Sequence, residues 1–378
     1  MAQLFFYGSL RDPDLVALVL GRRLADGALV PAQAPGYDTR RLRGEAYPLL
    51  LEEAGAVSDG VLLTDAGPED MRRLAYFEEA EYGLAPITVL TADGPRQARY
   101  FRATDKTPPT SQPWDFEHWV RHDRTVAVEA ARELMSLFGK LAVQEMDWVW
   151  PSIMSRARQR ALAAQDHGAP LPALRTLFTP GDVVQDGVEA VHTGFVALEQ
   201  LRYRHKRFDG DWTEPLSRTV MRSGDAVTLL PYDPAQDAVL LIEQFRPGPM
   251  ARGEPVPWCI EVIAGRIDTD ETPEAVARRE AREEAGLELG PLETIGTFYP
   301  SPGISAEKMI GFVGACDLSG AGGLHGLAGE HEDIRSFVLP RGAVLEAVSD
   351  GAVNTGPALA SLLWLEAHAP RLRAAWAS

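Results

Sequence analysis

Three carboxylates, Glu280, Glu283 and Glu284, lie three and four positions apart in the stretch GRIDTDETPEAVARREAREEAGL, residues 265–287. On a helix such positions are neighbours, so Glu280 can meet both Glu283 and Glu284, and Arg279 can pair with Glu283. Like charges held together repel. A hard divalent cation takes carboxylate oxygens and is often shared with substrate phosphates, so an ion with a phosphate ester would relieve the repulsion. The competing reading is a solvated, salt-bridged surface helix, which Glu/Arg-rich runs commonly form.

The element that must present these side chains is legible at both ends. Thr272 suits an N-cap, Pro273 the first helical position and Gly286 the left-handed position past the C-terminus. Ala277, Ala281 and Ala285 repeat at helical spacing on the opposite side and would let the helix pack closely with its carboxylates toward a cleft.

The whole segment resembles the signature of the Nudix hydrolases: Gly265, Glu271, Arg279-Glu280-Ala281, Glu283-Glu284 and Gly286-Leu287. The resemblance implies an α/β/α sandwich that hydrolyses a nucleoside diphosphate linked to another moiety. It assigns Mg²⁺, with Mn²⁺ as a substitute, to Glu280 and Glu284, sets Glu283 beside them, and has Arg279 orient them. The flanking segments GFVALEQLRYRHKRFDG, EVIAGRID, SPGISAEK and LAGEHEDIRSFVLP are similar to the ADP-ribose pyrophosphatase branch from about Gly187 to Ser378, with Pro302 at the branch's proline position. That similarity implies cleavage of ADP-ribose to AMP and ribose 5-phosphate, the Ala264 carbonyl as a further metal ligand and Glu330 as catalytic base. It further implies Phe195 against adenine, Arg218 and Arg246 near the phosphates, and Glu307 at the terminal ribose. Thr219 departs from the glutamate that often follows the arginine at 218. Branch members are dimers in which the segment before the signature swaps across, so a homodimer through this domain is expected, with Phe195 and Arg218 able to serve the partner's site. Without the resemblance, Phe195 reads as core, the arginines as solvent-facing, and the loop with Glu330, Glu332 and Asp333 as a solvated turn or strand cap.

A second signal lies near the N-terminus. In FFYGSLRDP, residues Tyr7, Gly8, Ser9 and Leu10 end a strand-like run, where successive backbone N–H groups could form a small anion-binding turn or an ordinary strand-to-helix turn. With LAYFEEAEYG, which holds Glu78, the first hundred residues resemble the γ-glutamylcyclotransferase-like (AIG2-like) family. That implies a small mixed β-barrel, a YGSL loop that holds the substrate carboxylate, and Glu78 as general acid/base. Glu79 and Leu84 replace a glycine and an arginine common in that family, so a ligand-binding role stands beside catalysis. The two-domain arrangement resembles a type associated with tellurite resistance in some bacteria, a link these residues do not explain.

Composition bounds the rest. With 378 residues, 45% hydrophobic and 24% charged, the chain can form two globular domains. A formal charge of −17 argues against a general nucleic-acid binder and leaves a small anionic substrate open, since a metal inverts the local potential. Only Cys259 and Cys316 are present, in apolar runs that read as buried strands, so a disulfide framework is not expected. The apolar run of MAQLFFYGSL is too short for a membrane span or signal, and a cytoplasmic enzyme with no membrane partner is expected. The pattern predicts a γ-glutamylcyclotransferase-like domain over 1–110, a helical connector over 111–182 with Leu134, Leu137, Phe138 and Leu141 as its apolar stripe, and a Nudix domain over 183–378. Two other functions fit the same residues. One is hydrolysis of another nucleoside diphosphate sugar, and the other is non-catalytic metabolite sensing.

Overall fold

The protein was analysed as a computed structural model, which describes residues 2–43, 47–78, 82–103, 112–165, 178–267, 271–327, 329 and 332–376. The chain divides into two compact units, Met1–Pro170 and Leu171–Ser378. Among the described residues no helix is long and apolar enough to cross a membrane.

In the first unit, β1 (Ala2–Phe6), β2 (Leu29–Arg41), β3 (Pro48–Ala66), β4 (Tyr82–Thr91) and β5 (Gly94–Ala103) close into a barrel in the order β1-β3-β2-β4-β5. The run LFFY is buried throughout because alternate residues serve two cores. Phe5 and Tyr7 join Leu62, Ile87, Val89 and Tyr100 in one cluster, while Leu4 and Phe6 join the helical residues in another. Those helices are α1 (Pro13–Leu20), α2 (Pro68–Phe77), α3 (Phe116–His122), α4 (Arg124–Ser136) and α5 (Met146–Gln165). The helical segment set apart by its pattern as a connector supplies Trp119, Leu134, Met146 and Ile153 to the same cluster as Leu4, Leu63 and Leu74. Leu137, Phe138 and Leu141 pack there too, although α4 stops at Ser136. The sequence pattern predicts no strand at β2. Pro31 and Pro35 interrupt it, and its register shifts between Pro35 and Tyr37, where Gly36 has φ +81°. Prolines cannot donate to a ladder, so this strand is marked by its long pairing with β3 rather than by local propensity.

The second unit opens with a three-stranded sheet, β6 (Val183–Thr193), β7 (Ala197–His205) and β8 (Leu216–Arg222). The main sheet follows, built from β9 (Ala226–Asp233), β10 (Ala238–Phe245), β11 (Trp258–Glu261), β12 (Ile263–Arg266), β13 (Leu292–Phe298), β14 (Met309–Ala315), β15 (Gly323–His325) and β16 (Ile334–Pro340). Its order is β13-β14-β9-β10-β16-β15, with β11 on β10 and β12 on β9. The runs DAVTLLPYD and DAVLLIEQFR, parted by the turn-like DPAQ, predict a hairpin, and β9 and β10 form it. Val227, Leu229, Leu240 and Ile242 face one layer with α7 (Pro273–Ala285), and Leu230, Tyr232, Val239 and Leu241 face the other with α8 (Arg341–Ser349) and α9 (Gly356–Trp376). This is a three-layer α/β/α sandwich, and burial on both faces is why the strands read as continuous apolar runs. The short α6 (Pro247–Arg252) follows β10. The sequence predicts a final helix from about Gly356 through Trp364; it runs on to Trp376, because Leu365, Ala369 and Leu372 also reach the core. Cys259 and Cys316 are free thiols and only partly buried, and Cys316 sits one residue beyond β14 rather than within it.

Candidate active site

Helix α7 begins and ends as its sequence dictates. Thr272 accepts a hydrogen bond from the Ala275 N–H at 3.2 Å, Pro273 is the first helical residue, and Gly286 adopts φ +64°. Ala277, Ala281 and Ala285 are buried against the sheet, so the helix lies close to β12. Close approach is also written into the strand. A Cβ on Gly265 would lie 1.7 Å from Glu280 Oε1, so the glutamate rests on bare backbone.

The glutamates divide into two kinds. Glu280 and Glu284 are buried, at 9% and 3% exposure, whereas Glu283 is half-buried. Arg279 Nη1 donates to Glu280 at 2.7 Å and to Glu283 at 2.9 Å, while Nε and Nη2 each donate to Glu271 at 3.1 Å. Burial works against the guanidinium charge, and these carboxylates more than restore it. The resulting clamp fixes the first carboxylate of the pair and leaves the second to other partners. Glu284 Oε2 accepts from the Ala264 N–H at 3.3 Å.

Desolvation pushes the Glu284 carboxyl up to about 9, with the Glu280 and Glu332 charges adding to it, and it pushes Glu280 to about 7 against the pull of Arg279. Such carboxyls gain from an added positive charge. Two buried carboxylates beside a strand backbone with no side chain in the way are the oxygen donors a hard divalent cation takes, so Glu280 and Glu284 fit such an ion. Among the described residues no three His, Cys, Asp or Glu side chains form a metal cage by themselves.

Around the pair the chain gathers residues from several strands. Arg246, just past β10, donates through Nε to Glu261 at 2.7 Å, and its charge lowers the proton affinity of Glu284. Glu307 is buried enough to hold its proton more tightly than usual, with Asp225 adding to that and the Ser223 hydroxyl, at 3.4 Å, and Arg266 opposing it. Phe195, between β6 and β7, is 64% exposed rather than core, and the Arg266 guanidinium lies 4.5 Å from its ring centroid. Phe195 and Arg266 thus meet within a single chain, and the Arg266 charge is felt at Glu307. Arg218 stays exposed on β8, opposite Leu201, with its guanidinium on its own Ser217 carbonyl at 2.8 Å. Glu330 lies outside the described residues.

Sequence patterns left three of these partners without a role. Glu332 acts electrostatically on both Glu280 and Glu284, Glu261 holds Arg246, and Arg266 lies over Phe195. Only Glu332 carried a signal, its place in an acidic Gly-containing loop. The neck of that loop is tight: Gly326 has φ +106°, a Cβ there would lie 2.7 Å from the Glu332 carbonyl, and Glu332 and Leu327 exchange hydrogen bonds at 3.3 and 3.4 Å.

In the first unit, Tyr7 is buried and its hydroxyl donates to the Phe101 carbonyl at 3.1 Å. Gly8 leads into a single 3₁₀ turn, Ser9–Arg11, which Leu10 anchors in the core. A Cβ at Gly8 would crowd Pro48 at 3.0 Å. Glu78 caps the C-terminal end of α2 and is half-buried.

Comparison with known proteins agrees with both units. Residues 222–354 match the NUDIX domain family, and residues 4–121 match the family described as gamma-glutamyl cyclotransferase, AIG2-like. The ADP-ribose pyrophosphatase of Escherichia coli (strain K12) is 38% identical over 204 residues, which cover 54% of this chain and 97% of that protein. The ADP-ribose pyrophosphatase of Haemophilus influenzae is 34% identical over 201 residues, 53% of this chain and 93% of its own. The GDP-mannose pyrophosphatase of Enterobacter sp. (strain 638) is 30% identical over 189 residues, 49% of this chain and 94% of its own. A crystal structure of an ADP compounds hydrolase aligns over 54% of this chain and 100% of its own, at 19% identity and a TM-score of 0.41. With the signature helix capped as expected, Glu280 and Glu284 buried against β12 and relatives matched over nearly their whole length, the chain belongs to the Nudix hydrolase family and carries an AIG2-like domain ahead of its Nudix domain.

Proposed function

We propose that the second unit hydrolyses the pyrophosphate of ADP-ribose to AMP and ribose 5-phosphate with Mg²⁺, and accepts Mn²⁺ in its place. The observation that carries this is the buried Glu280–Glu284 pair, with Glu280 held by Arg279 and the Arg246 charge felt at Glu284. Glu280, Glu284 and the Ala264 carbonyl would hold the metal, which when bound neutralises phosphate charge and polarises the phosphorus. The chain supplies the rest. Arg279 keeps Glu280 and Glu283 oriented, and Arg246 offers a cation to phosphate oxygen. Phe195 takes the adenine ring, Glu307 accepts from ribose hydroxyls, and Arg218 contributes a further cation from a second copy. Water attacks phosphorus, the bridging P–O bond breaks, and Glu330 takes the proton the water loses. The names of the E. coli and H. influenzae relatives support ADP-ribose over another sugar nucleotide.

A homodimer completes the reading. Val183, Val188 and Val191 are exposed on β6, at the edge of the three-stranded sheet, where a second copy would cover them. Free cysteines suit a cytoplasmic setting. The test is AMP release from ADP-ribose against a panel of nucleotide sugars, with Glu284→Gln and Glu330→Gln as controls. Near-parent activity of Glu284→Gln would refute the metal site, and of Glu330→Gln only the base. No AMP from the parent would refute the substrate.

For the first unit, the YGSL turn would receive the carboxylate of a γ-glutamyl amide and Glu78 would shuttle its proton. Release of 5-oxoproline, lost in Glu78→Gln, distinguishes catalysis from ligand binding.

A further inference from the structure

The Arg266 guanidinium rests on an exposed aromatic ring, though nothing in the hydrolysis itself requires a cation there. Phe195 lies in a loop after Gly194 and is 64% exposed, so on its own its ring would sample several rotamers, and a ligand that used it would bear the cost of ordering it. Arg266 is held more firmly. Its backbone, in β12, pairs with Ala226 of β9, its carbonyl accepts from Arg279 Nη2 at 3.5 Å, and its Nε is buried. The guanidinium carbon lies over the ring, 4.5 Å from its centroid, a cation–π contact that favours one placement of the ring over its other rotamers.

We propose that Arg266 is a positioning residue for nucleobase recognition: it backs one face of Phe195, so that the base of the substrate stacks on a ring already held in place and tied through β12 to the glutamate helix. The proposal rests on the reading of the site as one for an adenine nucleotide. It assigns Arg266 an effect on binding and none on bond cleavage, since the guanidinium acts through Phe195. The Arg266 guanidinium lies over the Phe195 ring, and that contact makes stacking its contribution. A residue of similar length without charge, such as methionine, would fill the space but hold the ring only by dispersion.

The experiment is a double-mutant cycle on the full chain with Arg266→Met, Phe195→Ala and their combination, with Arg266→Lys as the conservative variant. ADP-ribose binding is measured by calorimetry in EDTA, and KM and kcat with Mg²⁺. Loss of one stacked cation predicts that Arg266→Met weakens binding and raises KM about fivefold. On this basis kcat and thermal melting stay near the parent, and Arg266→Lys falls between. In the Phe195→Ala background the Arg266→Met effect should shrink to near nothing. Equal losses in both backgrounds, or a fall in kcat with KM unmoved, would overturn the proposal. If the parent binds ADP-ribose with this coupling in EDTA but releases no AMP with Mg²⁺, the hydrolytic reading fails and the stacking platform stands. If the parent does not bind ADP-ribose, both fall.

Discussion

Glu284→Gln should stabilise the metal-free protein while abolishing its hydrolytic activity. The Glu284 carboxyl is 3% exposed, and desolvation first, then the Glu280 charge, raises it from the ordinary 4.5 to about 9. A carboxyl whose folded value lies above its unfolded value binds more protons folded than unfolded. Stability therefore falls as pH rises from about 4.5 toward 9, which is the reverse of the usual salt-bridged carboxylate. Each tenfold difference in proton affinity is worth about 1.4 kcal/mol, so between pH 4.5 and 8 the ceiling is about 5 kcal/mol, which local relaxation and water entry reduce to a few kcal/mol. Glutamine keeps an acceptor for the Ala264 N–H and removes the ionisation. Melting of the second unit in EDTA, followed from pH 5 to 9, should show the variant level with the parent at the acid end and well above it at pH 8. Added Mg²⁺ should raise the parent's transition and leave the variant's unmoved. If the variant melts at or below the parent throughout, with the same slope, Glu284 is not the buried ionising group and the argument from desolvation is wrong.

Other outcomes follow from the same geometry. Gly265→Ala must displace the Glu280 carboxylate, because the new Cβ starts 1.7 Å from Oε1; a shift of an ångström or more should lower kcat about 100-fold, measured as AMP release, with melting near the parent. Gly326→Ala forces apart a neck in which the Cβ would meet the Glu332 carbonyl at 2.7 Å, and its activity loss should exceed that of Gly329→Ala, where a Cβ meets nothing within 4 Å. Replacing Val188 and Val191 on β6 with lysine should shift the protein from dimer to monomer in light scattering, and an unchanged mass would remove that strand from the interface.

How far the sequence reaches depends on the range of the interaction. Helix α7 was legible to its caps because Thr272, Pro273 and Gly286 act on the backbone within one turn, and the buried Ala277, Ala281 and Ala285 follow a period set by local geometry. The hairpin of β9 and β10 was legible for the same reason. The strand β2 was not, since its prolines hide it locally and its pairing with β3 alone defines it.

The sequence by itself determined which helix carries the glutamates and that they share a face, because spacing along one helix is fixed by its pitch. Only the tertiary structure decided that Glu280 and Glu284 are buried while Glu283 is only half-buried, since burial depends on how closely β12 approaches at Gly265. It also decided which distant residues join them. Arg246 sits on Glu261, the Glu332 charge is felt by both glutamates, and Arg266 lies over Phe195 because the fold brings together positions that share no local pattern.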